Sequence, residues 1–267
     1  MHTPRETRRK TPQKDQAKPD SKPTESQKSR YPGGSGNLRR RKKMEVFLSL
    51  IREIVSGLGT TLWLFAVTLV VSIPLGFLGS QISLSKKTGA RRAYNTYVYV
   101  MRGTPLILQV LFLYFGVGLL INMVNTNLGL QIRYPRELSA LISFILNYTA
   151  YFSEIFRGGI QSINRGQYEA ASVLGLPKSV TMRRIVVPQV FKIVMPSLGN
   201  EVINLVKDTA LVSIIAIADI TKNANSAAMR VGNIAPFAVA MLFYLAITAA
   251  VTLALKKIEN KMDYYKF

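Results

Sequence analysis

Apolar runs recur along this chain from residue 57 to residue 255, with short charged segments between them. A membrane helix needs about 20 mostly apolar residues. Five stretches have that length and character: 57–81, 98–123, 138–156, 191–217 and 236–255. The second is entered through Met101-Arg102-Gly103-Thr104-Pro105, and Glu201, Lys207 and Asp208 interrupt the fourth. Pro74, Pro105 and Pro196 are tolerable there, because neighbouring helices can satisfy the freed backbone groups. The pattern predicts an all-α membrane protein with about five transmembrane helices over residues 44–267.

The segment 165–190, between the third and fourth runs, follows another rule. A short helical pattern covers about 165–174, and Gly175 can end it with a left-handed cap. Pro177 suits the first turn of a second helix, which carries Arg183, Arg184 and Ile185. Pro188 closes the segment. Two short amphipathic helices joined by a bend make a plug for a partner's groove.

Composition sharpens the picture. The 267 residues are 48% hydrophobic and 18% charged, with a mean hydropathy of +0.18. Residues 1–43 hold 14 Lys and Arg against 4 Asp and Glu; the remainder holds 21 against 10. Residues 1–43 have little to bury and are expected to be a disordered basic tail. Residues 31–36 read as linker, and 39–43 as a polybasic run suited to anionic lipid. A start at Met44 is the reading favoured for this region, with an interfacial or re-entrant segment over 44–54 as the alternative.

Lys and Arg also orient the chain, because they concentrate in cytoplasmic loops. Lys86, Lys87, Arg91 and Arg92 follow the first run. Arg157, Arg165, Lys178, Arg183, Arg184 and Lys192 follow the third, and Lys256, Lys257, Lys261 and Lys266 follow the fifth. The opposite loops hold only Arg133, Arg136, Lys222 and Arg230. Segment 165–190 and the C-terminus are therefore expected in the cytoplasm, and residue 44 outside. The polar stretch 223–233 then falls outside and is expected to be a loop, a candidate surface for an external partner.

Several chemistries are disfavoured. There is no cysteine, and His2 is the only histidine, so no metal site or cofactor is expected. There is no G-x-x-x-x-G-K-[ST] phosphate loop and no G-x-S-x-G. If ATP is used, another chain hydrolyses it. The basic tail lacks interleaved aromatics (Tyr31 is alone), so nucleic acid is not an expected partner.

Ionisable groups inside spans are costly and by default suggest function. Arg102, Gly103 and Thr104 lie at the mouth of the second span, and Glu154 lies near the end of the third. On a helix Glu201, Asn204 and Asp208 share a face, with Lys207 on an adjoining stripe. Carboxylates at Glu154, Glu201 or Asp208 suit an ammonium or cationic side chain. Arg102, Lys207 or backbone N–H groups at Gly103 and Thr104 suit a carboxylate. The competing reading is structural: Lys207 paired with Glu154 or Glu201 to hold helices together.

Glu169-Ala170-Ala171, then Gly175, Ile185 and Pro188, resembles the EAA loop of permease subunits in ATP-binding-cassette (ABC) importers. Gly59-Thr60-Thr61-Leu62, Met101 to Pro105, Phe152 to Ile160 and Leu205 to Leu211 resemble signatures of the polar-amino-acid branch, the histidine/glutamine/arginine type. The resemblance covers about 57–261. It implies a type I importer permease fold in the inner (cytoplasmic) membrane. It also implies a second permease subunit, identical or related, two cytoplasmic ABC ATPase subunits, and an extracytoplasmic binding protein that delivers the amino acid. Glu169, Ala170, Ala171, Gly175, Arg183, Ile185 and Pro188 would then couple to the ATPases, and the charged span residues would line the pathway. The alternative is an ion-coupled secondary transporter using Glu201 and Asp208. That alternative expects inverted repeats, and no internal repeat is visible.

Overall fold

Small polar residues set a close helix contact in this fold, and large apolar ones fill the core beside it. The structure is a computed structural model that describes residues 34–262. It divides into two units, Met1–Val46 and Phe47–Phe267. The described part of the first unit is the beginning of helix α1 (Gly34–Ser56). The polybasic run and residues 34–36 are therefore helical rather than linker and disordered tail. The rest of the tail expected over 1–43 lies outside the described residues.

In the second unit, α2 (Leu58–Ser83) buries Thr61, Thr68, Ser72, Gly76, Gly79, Ser80 and Ser83. Thr68, Ser72, Gly76 and Ser80 repeat every fourth residue and form one narrow face. That face lies on α6 (Arg136–Ser162), which presents Ser139, Ser143, Asn147, Ala150 and Ser153 among its buried residues. Small residues let two backbones approach closely where lipid gives no hydrophobic drive for association. Gly76 shows how closely, since a β-carbon there would lie 2.6 Å from Cβ of Phe152. Ser72 Oγ donates to the Ile145 carbonyl at 3.3 Å across the same contact.

Around this pair lie α3 (Thr88–Gly103), then α4 (Leu106–Phe112), which passes through a π-turn (Leu113–Val117) into α5 (Gly118–Leu128). The helix α7 (Arg165–Val173) follows α6. A short α8 (Lys178–Val180) leads through a second π-turn (Thr181–Val186) into α9 (Val187–Asp208). A 3₁₀ turn (Thr209–Ile215), α10 (Ile220–Val231) and α11 (Ala235–Met262) follow. The core joins Phe144, Tyr148, Phe152 and Phe156 of α6 to Val190, Val194 and Leu198 of α9.

Each of the five expected spans falls largely on helix, with two corrections. The second begins at Leu106, because residues 98–103 belong to α3. Thr104 is extended (φ −118, ψ 144), as the residue before a proline is pushed to be. Segment 223–233 is mostly helix α10 rather than loop. Asp219 caps its start by accepting from the backbone N–H groups of Thr221 and Lys222, and Gly232 ends it at φ 69. Among the described residues, three helical stretches, Arg40–Ser83, Leu106–Leu128 and Ala235–Lys261, are long and apolar enough by length and composition to cross a membrane.

Candidate functional site

The break between α3 and α4 exposes backbone carbonyls, and two side-chain amides satisfy them. Gln109 Nε2 donates to the carbonyl oxygens of Met101 at 2.9 Å and Thr104 at 3.1 Å, and to Thr104 Oγ1 at 2.8 Å. Asn147 of α6 donates to the same Met101 carbonyl at 3.1 Å, and to Gln109 Oε1 at 3.1 Å. An unpaired carbonyl in hydrocarbon costs several kcal/mol, so non-helical backbone at membrane depth persists only where protein or a polar cavity receives it.

Here it receives both. A cavity of about 530 Å³ opens at the break and is lined by Arg102, Gly103 and Thr104. Glu201, Asn204 and Asp208 of α9 line it together, as their helical spacing predicts. Asn147, Tyr148 and Tyr151 of α6 complete the wall. Tyr148 is 2% exposed, and its hydroxyl donates to Asp208 Oδ2 at 2.7 Å. The Arg102 guanidinium lies over the Tyr151 ring, 5.3 Å from its centroid. The cavity lining therefore combines a cation, two carboxylates, amides and aromatic rings. Its volume falls within the usual range for small-molecule sites, about 300–1,000 Å³.

Two expected residues lie elsewhere. Lys207 is exposed and does not line this cavity, because its position on α9 turns it away from the Glu201–Asp208 face. The pairing of Lys207 with Glu154 is also corrected. Glu154 accepts from Arg157 Nε at 2.8 Å and Nη2 at 2.7 Å, and lies 3.4 Å from Arg102 Nη1. It lines a second cavity, of about 620 Å³, together with Arg102, Asn95, Arg157 and Gln161. The sequence reading missed Asn147, Tyr148, Tyr151 and Arg157. Asparagine beside tyrosine within an apolar run was the available signal for the first two, and the acid–base spacing of three for Arg157.

The first half of the candidate coupling segment forms as the punctuation predicts, but the second helix does not close at Pro188, because Lys178–Val180, the π-turn and α9 run on continuously through it. Asn164 caps α7 by accepting from the Gly166 N–H at 2.8 Å. Gly175 has φ 65. Its N–H donates to the Ser172 carbonyl at 3.0 Å, and the Leu176 N–H donates to the Ala171 carbonyl at 3.0 Å. This is a complete Schellman cap. Glu169, Ala170, Arg183 and Pro188 are exposed, Ile185 is half-buried, and Ala171 is buried. Val173 and Leu174 stand out at 88% and 75% exposed, an apolar knob that the sequence reading did not single out. Partial burial pushes the Tyr168 phenol above its ordinary range.

An all-helical body with three apolar spanning stretches, a polar cavity at a broken helix and a projecting two-helix segment defines a membrane permease. The model of the family described as "Binding-protein-dependent transport system inner membrane component" matches residues 72–264, and the chain belongs to that family. It is 35% identical over 210 residues to the arginine transport system permease protein ArtQ of Bacillus subtilis, covering 78% of this chain and 92% of that protein. It is 32% identical to the putative glutamine transport system permease protein GlnP of Rickettsia typhi, covering 81% and 95%. A crystal structure of an amino acid ABC transporter with histidines matches at a TM-score of 0.70 and 29% identity, covering 80% of this chain and 96% of that one. A bacterial ABC transporter for the acidic polysaccharide alginate shares the fold at 17% identity and a TM-score of 0.62. Family membership supports the ABC reading and lends nothing to the ion-coupled alternative.

Proposed function

We propose that this chain is the transmembrane permease subunit of an ABC importer for polar amino acids. One observation carries the substrate class: a single cavity is lined by Arg102 and by Glu201 and Asp208. An α-amino acid presents a carboxylate and an ammonium. Arg102 suits the first, and Glu201 or Asp208 the second, or a cationic side chain. The named relatives, an arginine and a putative glutamine permease, carry out transport of that class.

The partners follow from the same reading. Segment 165–190 docks in the cleft of a cytoplasmic ATPase, with Val173 and Leu174 as its apolar contact and Glu169, Gly175, Arg183 and Ile185 holding its shape and register. ATP binding closes two such ATPases. Two permease subunits then switch from an inward-facing to an outward-facing pathway. An extracytoplasmic binding protein delivers the amino acid on the side of α10. The C-terminus and segment 165–190 are cytoplasmic, as the Lys and Arg distribution requires.

The test is reconstitution. This chain is co-expressed with the ATPase and binding protein encoded beside it, and ATPase activity is measured in liposomes as amino acids are added singly. Stimulation by one class of amino acid, only with the binding protein present, is the expected result. Uptake driven by an ion gradient without an associated ATPase would overturn the proposal.

A further inference from the structure

Arg102 lines both cavities, the central one and the one that holds Glu154. Its hold on Glu154 is weak, for a visible reason. Arg157 occupies both carboxylate oxygens with two short parallel bonds, and is itself fixed by donating from Nη1 to Gln161 Oε1 at 2.9 Å. Arg102 is left 3.4 Å from Oε2, which Arg157 already uses. Charge-assisted N–H···O bonds are normally about 2.7–2.9 Å. The other contact of the Arg102 guanidinium is the face of Tyr151. Two arginines around one carboxylate leave a surplus positive charge, and Arg102 bears it because Arg157 is the one clamped. Its side chain is 43% exposed, against 21% for that of Glu154.

A cation with a loose tether between two cavities can serve both. Resting on the reading of this chain as an amino-acid permease, we infer that the second cavity is an inner station for the substrate. Arg102 carries the substrate carboxylate into it from the central cavity. The second cavity is large enough for the whole molecule, at about 620 Å³, and Asn95 and Gln161 add neutral polar groups to its wall. Arg157 is the positioning residue. By satisfying Glu154 it prevents that carboxylate from closing on Arg102 with the bidentate geometry that arginine and carboxylate prefer.

Removing Arg157 is expected to harm transport, and removing Glu154 as well is expected to repair it. The full complex is reconstituted in proteoliposomes, and amino acid taken up per ATP hydrolysed is measured. Arg157→Gln is expected to lower that ratio about tenfold, the scale on which one weak contact becomes a hydrogen-bonded ion pair. Adding Glu154→Gln should restore most of the loss, because nothing then locks Arg102. A merely structural ion pair behaves oppositely, with the double variant no better than the single one, and that outcome overturns the inference. An unchanged ratio in Arg157→Gln also overturns it. If Arg157→Gln does not assemble with the ATPase, Arg157→Lys replaces it. Lysine keeps the charge without the fork, so a smaller loss, again relieved by Glu154→Gln, is expected, and no loss overturns the inference. Absence of stimulated ATPase in the unsubstituted complex would instead remove the permease reading itself.

Discussion

Tyr148 and Asp208 form the most consequential single contact in the central cavity. The phenol is buried and donates a hydrogen bond to Asp208 Oδ2 at 2.7 Å, so the carboxylate is aimed as well as present. A hydrogen bond to a charged group contributes about 1.5–3 kcal/mol. Tyr148→Phe keeps the ring in the core and removes only that bond. We expect it to lower the uptake rate about tenfold or more while the complex still assembles on size-exclusion chromatography, and wild-type uptake would show that Asp208 needs no such support. The sequence disclosed half of this site. Glu201, Asn204 and Asp208 were legible because a helix puts residues three, four and seven apart on one face. Tyr148 was not, because a tyrosine in an apolar run reads as core until a second helix supplies its acceptor. Arg157, not the Lys207 of the structural alternative, pairs with Glu154. Its nearest cation, Arg157, lies one turn along the same helix, and proximity on one helix outweighed a pairing across two.

Among the elements, the turn after α7 was the most legible and is the most sharply testable. Left-handed backbone costs a β-branched residue far more than glycine or asparagine. At φ 65, Gly175→Val forces the cap open and redirects Val173 and Leu174. We expect Gly175→Val to abolish amino-acid-stimulated ATPase activity and Gly175→Asn to retain most of it, with both variants inserted at normal levels. Equal loss in the two would locate the defect in side-chain bulk rather than backbone shape. The second span was less legible, because the apolar residues 98–101 run on into the break at Thr104. Only the amides of Gln109 and Asn147, converging from different helices, make that break tolerable. The π-turns at Leu113–Val117 and Thr181–Val186 left no mark on the hydrophobic pattern, since one extra residue per turn blurs a period without erasing it. Helix α10 was hidden by its polarity, although Asp219 and Gly232 mark its two ends.

For the whole molecule, orientation is the property on which the proposed partners depend. The chain contains no cysteine, so single introduced thiols report sidedness without background. Lys178→Cys, on the exposed coupling segment, is expected to react with a membrane-impermeant maleimide only from the cytoplasmic side. Ser226→Cys, at an exposed position within α10, should react only from the outside. Reaction of Lys178→Cys from the outside would overturn this topology and detach the proposed ATPase contact from the ATPase. The packing of α2 on α6 also bears on how the protein is made. Stretch Arg40–Ser83, which contains α2, is apolar enough by length and composition to cross a membrane. Helix α6 carries Ser139, Ser143, Asn147 and Ser153 among the residues buried where α2 packs. In chain order α2 precedes α6, so the small-residue face of α2 is made before its partner. A bulky substitution on that face is therefore expected to show as less assembled subunit rather than as a slower transporter.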